Sequence, residues 1–218
     1  MSQPSFNQLT EQLALADILL AGRATMHDPQ DLPGKYGRVV RAIDHVLELI
    51  SCEAVVGGGW AVWRHGFINR VTQDIDIILP ADRIEEFLKV ASVGGFQILP
   101  VTSGRWPKVH HKETDIQVDI LSEGERPGLP PDFAPTTIPH PVQLGAAGCK
   151  LRYLQLAGLI ELKIAAGRLK DKADVVELIR ANPAQIDVIR QRLSEIHDRY
   201  AEEFDTLVEE AQKDDAHQ

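Results

Sequence analysis

Between Ala54 and Leu79 the hydrophobic pattern changes period twice, and glycine or acid marks each change. Ala54-Val55-Val56 is a short apolar run that stops at Gly57-Gly58-Gly59, after which Trp60-Ala61-Val62-Trp63 continues in helical style. Ile75, Ile77 and Leu79 then alternate with Asp74, Asp76 and Ile78, the two-residue period of a strand. A strand, a glycine turn, a short helix and a second strand bearing paired acids therefore follow one another in order.

The rest of the chain extends this alternation. Helical patterning covers Phe6 to Ala21 and Tyr36 to Ile50, where Val39, Val40, Ile43, Val46, Leu47 and Ile50 recur on one face. The DPQDLPG segment between them reads as a loop. A helix is expected from Arg83 to about Val90 and a strand from Phe96 to Val101. Ile116, Val118 and Ile120 alternate with Asp115, Gln117 and Asp119 in another strand. Gly124 to Pro141 holds six prolines and two glycines and reads as a surface loop. From about Leu154 the pattern is helical to the end, broken near Asn182-Pro183. The last segment, with Ile186, Ile189, Leu193, Ile196, Tyr200, Phe204 and Leu207, reads as one long amphipathic helix. The fold class expected is α/β (α+β), a mixed sheet flanked by helices. The chain divides into a helical N-terminal segment (1–52), a core (53–150) and a helical C-terminal region (151–218).

Composition narrows the function classes. The 218 residues are 44% hydrophobic and 25% charged, which excludes wholesale disorder and a disulfide mini-scaffold. Two isolated cysteines, Cys52 and Cys149, make no CxxC pair and suit a reducing compartment. No signal-peptide pattern opens the chain, and no apolar run approaches the roughly 18 residues of a membrane span. A soluble, cytoplasmic protein with no membrane partner is expected. The net charge of −9 argues against coating nucleic acid by bulk electrostatics. That charge is uneven: residues 182–218 hold ten acids against four bases, whereas residues 144–180 hold seven bases against four acids. The acidic tail is a candidate interaction surface, and the basic stretch can favour a phosphate.

Asp74 and Asp76 stand two apart in a strand, so both side chains leave the same face. Two carboxylates about 4 Å apart repel by roughly 4 kcal/mol at an effective dielectric near 20. A fold offsets that by salt bridges, by protonating one group, or by binding a divalent cation. Asp119 has a matching place in a second strand, and if the two strands are neighbours the three carboxylates converge. Hard oxygen ligands with open positions suit Mg²⁺, with Mn²⁺ as the alternative. Taken singly, paired acids are more often a solvated face, Asp119 a surface residue, and the glycines a tight turn. The order in which they occur points to chemistry.

Gly58-Gly59, fourteen intervening residues and Asp74-Ile75-Asp76-Ile77 resemble the hG[G/S]…DhDh signature of the DNA polymerase β-like nucleotidyltransferase superfamily. GGGWAVWRHGFINRVTQDIDIIL is similar to AbiEii-type and related solitary bacterial members through Gly58, Gly59, Ala61, His65, Gly66, Arg70, Thr72 and Asp74 to Ile77. LIELKIAAGRLKDKADVVELI resembles a later helix pair of that group, so the likeness covers about Glu53 to Ile179. It implies a nucleotidyltransferase-type sheet and transfer of NMP from an NTP to a hydroxyl on an RNA end (tRNA), a protein or a small molecule. Asp74, Asp76 and Asp119 would hold the metal, with Asp119 also the base. Gly58, Gly59, Arg70, Thr72 and Lys163 would bind the nucleotide. The second glycine replaces a serine common among relatives. A second expectation is a non-catalytic nucleotide-binding or toxin–antitoxin-type partner that keeps the fold.

Several residues retain plainer readings. Lys163 also fits a lysine snorkelling at a core edge, Arg168 and Lys170 a solvated face, and Arg70 a loop salt bridge. Asp171 and Asp174 either orient these cations or continue a helix surface. His65 reads as a cap or core residue, His110 and His111 as surface, and Trp60 and Trp63 as core. Trp106 is the aromatic better placed to stack a base.

Overall fold

The computed structural model describes residues 14, 17–18, 24–68, 70, 72–100, 106–129 and 132–215. Helix α1 (Gly34–Leu49) buries Tyr36, Val39, Val40, Ile43, Val46 and Leu47. Strand β1 (Val55–Val56) leads through the glycines into α2 (Gly58–Arg64), and β2 (Ile75–Leu79) into α3 (Ile84–Val93). Then come β3 (Phe96–Leu99), β4 (Lys108–His111), β5 (Ile116–Ser122), a small hairpin of β6 (Gly128–Leu129) and β7 (Asp132–Phe133), and β8 (Arg152–Tyr153). Four helices close the chain: α4 (Leu156–Ala166), α5 (Leu169–Ala181), α6 (Ile186–Ile196) and α7 (Asp198–Asp215). Among the described residues no helix is long and apolar enough to cross a membrane.

The main sheet runs β3-β4-β5-β2-β1-β8. β2 pairs parallel with β5 and β1 parallel with β8, while β1/β2, β3/β4 and β4/β5 are antiparallel. Because side chains alternate, Ile75, Ile77, Leu79, Val118 and Ile120 fall on one face, where they pack with α1 and α3. Each such side chain contributes about 1.5–3 kcal/mol by leaving water. On the opposite face Val55 and Ile78 join Val62, Leu159, Ile160, Val175 and Leu178 in a second core under α4 to α7. Asp76 and Asp119 have the parity of Ile78, so both stand on this second face.

Several expectations are corrected. The helix expected over Phe6–Ala21 falls largely outside the described residues, although Ala14, Asp17 and Ile18 are helical. The strand expected to Val101 ends at Leu99, and Val101 itself lies outside the described residues. The single long C-terminal helix is two. His197 is extended at φ −167° and ψ 130°, and its Nδ1 accepts the Arg199 amide at 3.2 Å. An unbroken helix of this length would reach about 45 Å; the break folds α7 back so that Leu193 and Phe204 are both buried in one core. The proline-rich segment is not all surface either. Gly124 N donates to Ile138 O and Ile138 N to Glu125 O, which pins the loop and buries Ala134, Ile138 and Pro141. His111 is likewise buried, against the Phe96 ring at 5.0 Å and with Thr114 Oγ1 at 2.8 Å from its Nδ1. His110 pairs with exposed Asp115.

Candidate active site

The parallel pairing of β2 with β5 sets Asp76 directly beside Asp119, on strands about 4.8 Å apart. Asp74 lies one residue before β2 rather than inside it. Three braces hold it there. Trp60 Nε1 donates to the Asp74 carbonyl at 3.0 Å, Thr72 Oγ1 to Asp74 Oδ1 at 2.5 Å, and the Tyr36 hydroxyl to the Thr72 carbonyl at 3.3 Å. Trp60 and Trp63 are core, as expected, and Trp60 also fixes the acidic loop. All three carboxylates line one cavity of about 590 Å³ together with Gly58, Gly59, Arg70, Thr72 and Lys163.

The glycine turn is shaped by the acids. Gly57 N donates to the Asp76 carbonyl at 2.9 Å. Gly58 has φ +54°, and a Cβ there would lie 1.7 Å from Asp76 Oδ2. A Cβ on Gly59 would lie 2.7 Å from Thr72 Cβ. Serine at position 59 would therefore displace Thr72, whose hydroxyl is already committed to Asp74. The glycines thus let the first turn of α2 lie directly on the acidic loop.

Burial, and then the nearby charges of Asp74 and Asp119, push the Asp76 carboxyl up to about 6, against a smaller opposing pull from Lys163 and Lys170. Among the described residues no hydrogen-bond donor reaches that carboxylate. Asp119 is placed differently: Lys108 Nζ donates to its Oδ2 and Gln117 Nε2 to its Oδ1, each at 2.6 Å. The three acids share a cavity, yet among the described residues no three His, Cys, Asp or Glu side chains are gathered as a ready metal cluster. Asp74 and Asp76 still supply hard oxygens beside backbone amides, and the donor-free Asp76 carboxylate fits a divalent cation.

The second motif has a compact structural cause. Gly167, at φ +67°, ends α4 in a left-handed cap and turns the chain straight into α5. Lys163 on α4 thereby faces the first turns of α5. Its ammonium reaches Asp171 Oδ1 at 3.1 Å and Asp174 Oδ2 at 2.6 Å, and the lysine is only 7% exposed. Arg70 Nε meets Asp174 Oδ1 at 3.0 Å, and Arg168 Nε meets Asp171 Oδ2 at 2.5 Å. This network, rather than snorkelling, explains Lys163, and Arg70 has the salt bridge that is its plainer reading. Arg168 and Lys170 are exposed and line the cavity.

Lys108 and Gln117 belong to the site without being singled out by the sequence. Gln117 stands two residues before Asp119 on the same strand face, a spacing that is the one available signal for it. Nothing in the sequence marks Lys108, because its role depends on β4 pairing antiparallel with β5 and setting it opposite Asp119. Trp106 lines the cavity, half-buried. His65 caps α2 and hydrogen-bonds the Leu154 carbonyl at 2.7 Å; burial lowers its pKa, which suits a structural role.

A family described as "Nucleotidyltransferase of unknown function (DUF6036)" matches residues 38–213. No curated protein matches. Among solved structures, the crystal structure of ANT(2″)-Ia in complex with adenylyl-2″-tobramycin is 17% identical, with a TM-score of 0.42, covering 81% of this chain and 96% of that one. A solution structure of the antibiotic-resistance factor ANT(2″)-Ia is also 17% identical, with a TM-score of 0.42, covering 82% of this chain and 92% of that one.

Proposed function

This chain belongs to the nucleotidyltransferase family that spans its residues 38–213, and on that premise we propose that it moves NMP from an NTP to a hydroxyl acceptor with a divalent ion, Mg²⁺ or Mn²⁺. One observation carries the reading: Asp76 and Asp119 are paired in register on the cavity face, beside a glycine turn laid against Asp76. In the reaction the acceptor oxygen bonds to the α-phosphorus, the bond to the bridging β-phosphate oxygen breaks, and pyrophosphate leaves with that electron pair. Asp119 takes the acceptor proton. An ion held by Asp74 and Asp76 would neutralise the triphosphate and polarise the phosphorus.

The other residues act by position. Gly58 and Gly59 let the backbone lie close to the phosphates. Arg168 and Lys170 offer positive charge at the mouth, while Lys163 fixes α5 so that those cations face the cavity. Arg70, through Asp174, and Thr72, through Asp74, brace the segment that leads into the acidic pair. The chemistry asks only a hydroxyl of the acceptor, so an RNA end, a protein side chain and a small molecule all satisfy it. The narrower likeness to AbiEii-type members rests on the motif block alone.

Calorimetric titration of each NTP with Mg²⁺ tests the reading, comparing wild type with Asp74→Ala. Binding that needs the ion and fails in the variant supports it. Binding indifferent to both contradicts it.

A further inference from the structure

Lys108 and Asp119 are directly opposed on neighbouring antiparallel strands, so both side chains rise from the same face of the sheet. The ammonium sits 2.6 Å from Asp119 Oδ2, and the Gln117 amide sits 2.6 Å from Oδ1. Both oxygens of this carboxylate therefore carry a donor. Asp74 accepts the Thr72 hydroxyl on one oxygen only, and no donor among the described residues reaches the Asp76 carboxylate. Lys108 itself lines the cavity. The acids are thus unequal: two offer oxygens to an ion, and the third is held by a cation of the chain's own.

Resting on the nucleotidyl-transfer reading, we propose that the Lys108 ammonium competes with a divalent ion for Asp119, so that Asp119 joins the metal site only when Lys108 is displaced. The ammonium already engages Oδ2 and the Gln117 amide Oδ1, so a divalent ion at Asp119 shares an occupied carboxylate, and its charge and that of the ammonium repel across a few ångströms. Asp74 and Asp76 accordingly bind one ion on their own, and a second ion shared with Asp119 binds weakly. Lys108 is a positioning residue on this account, acting through Asp119.

The test is Mn²⁺ binding without nucleotide, read by electron paramagnetic resonance as free ion, for wild type, Lys108→Met and Lys108→Arg. Methionine keeps the unbranched chain as far as Cε and removes the charged ammonium. Wild type should show one ion bound above a much weaker second. Lys108→Met should tighten that second ion about tenfold or more, and Lys108→Arg should stay near wild type. Gln117→Leu gives a second route, because it strips a donor from the same carboxylate without touching Lys108; it should leave the second ion weak. Circular dichroism melts confirm that each variant is folded. Second-ion affinity unchanged or weakened in a folded Lys108→Met overturns the inference alone. Failure of wild type to bind any ion that Asp74→Asn abolishes overturns the metal-dependent reading itself.

Discussion

Replacing Asp76 by asparagine should stabilise the metal-free protein at neutral and alkaline pH while abolishing transfer. The folded state holds the Asp76 carboxyl near 6, against an ordinary 3.8, through burial and the charges of Asp74 and Asp119. A carboxyl with a raised folded pKa binds its proton more tightly folded than unfolded, so stability falls as pH rises between those two values and stays reduced above them. The interval is about two pH units, worth roughly 3 kcal/mol at 1.36 kcal/mol per unit. Asparagine has an amide to desolvate in its place, so a net gain of about 2 kcal/mol is the working figure, or near 5 °C in Tm for a chain of this size. The assay is thermal melting of wild type and Asp76→Asn in chelator at pH 8 and at pH 4. The variant should melt higher at pH 8 and level with wild type at pH 4, where both carry an uncharged group. Adding Mg²⁺ at pH 8 should raise wild type and leave the variant unmoved. A variant that melts lower than wild type at pH 8 in chelator would refute the electrostatic account of this site and make Asp76 a stabilising partner.

Three further outcomes follow from the contacts. Lys163→Met removes the cation shared by buried Asp171 and Asp174, leaving each with one arginine, and should cost about 3 kcal/mol in urea denaturation; a change confined to the KM for NTP would instead make Lys163 a phosphate contact. Gly58→Ala forces a methyl into the Asp76 carboxylate at a left-handed backbone position. It should lower the melting temperature and abolish NTP binding, and calorimetry that finds wild-type affinity would count against the close approach of turn and acid. Thr72→Val removes the hydroxyl from Asp74 while keeping the shape that packs on Gly59. Mg²⁺ affinity should fall several-fold with little change in Tm, and an unchanged affinity would show that Trp60 and Tyr36 alone hold the loop.

The parts of this protein that depend on local order are legible in the sequence. Alternation of Ile75, Ile77 and Leu79 fixes which face they bury, and with it the face that Asp76 takes. The triple glycine announces the turn into α2. What cannot be read depends on which strand lies beside which. Lys108 becomes part of the site only because β4 pairs with β5, a choice that no residue spacing encodes. His197 is hidden for a related reason: the apolar positions on either side keep helical spacing, and the break exists so that Leu193 and Phe204 reach one core. Lys163 stands out by its motif, but its ion pairs with Asp171 and Asp174 do not. They follow from a left-handed Gly167 that brings two helices face to face. Asp119 stands out as well, but not the two donors that hold it.

The central claim is tested most directly by following label from each α-³²P NTP, with Mg²⁺ and cell extract, for wild type and for Asp74→Asn. The account predicts that wild type moves the α-phosphate onto one class of acceptor, with pyrophosphate released in equal amount, and that Asp74→Asn does not. Label that stays in NTP with every base and every extract fraction, or that moves equally well in the variant, would contradict it.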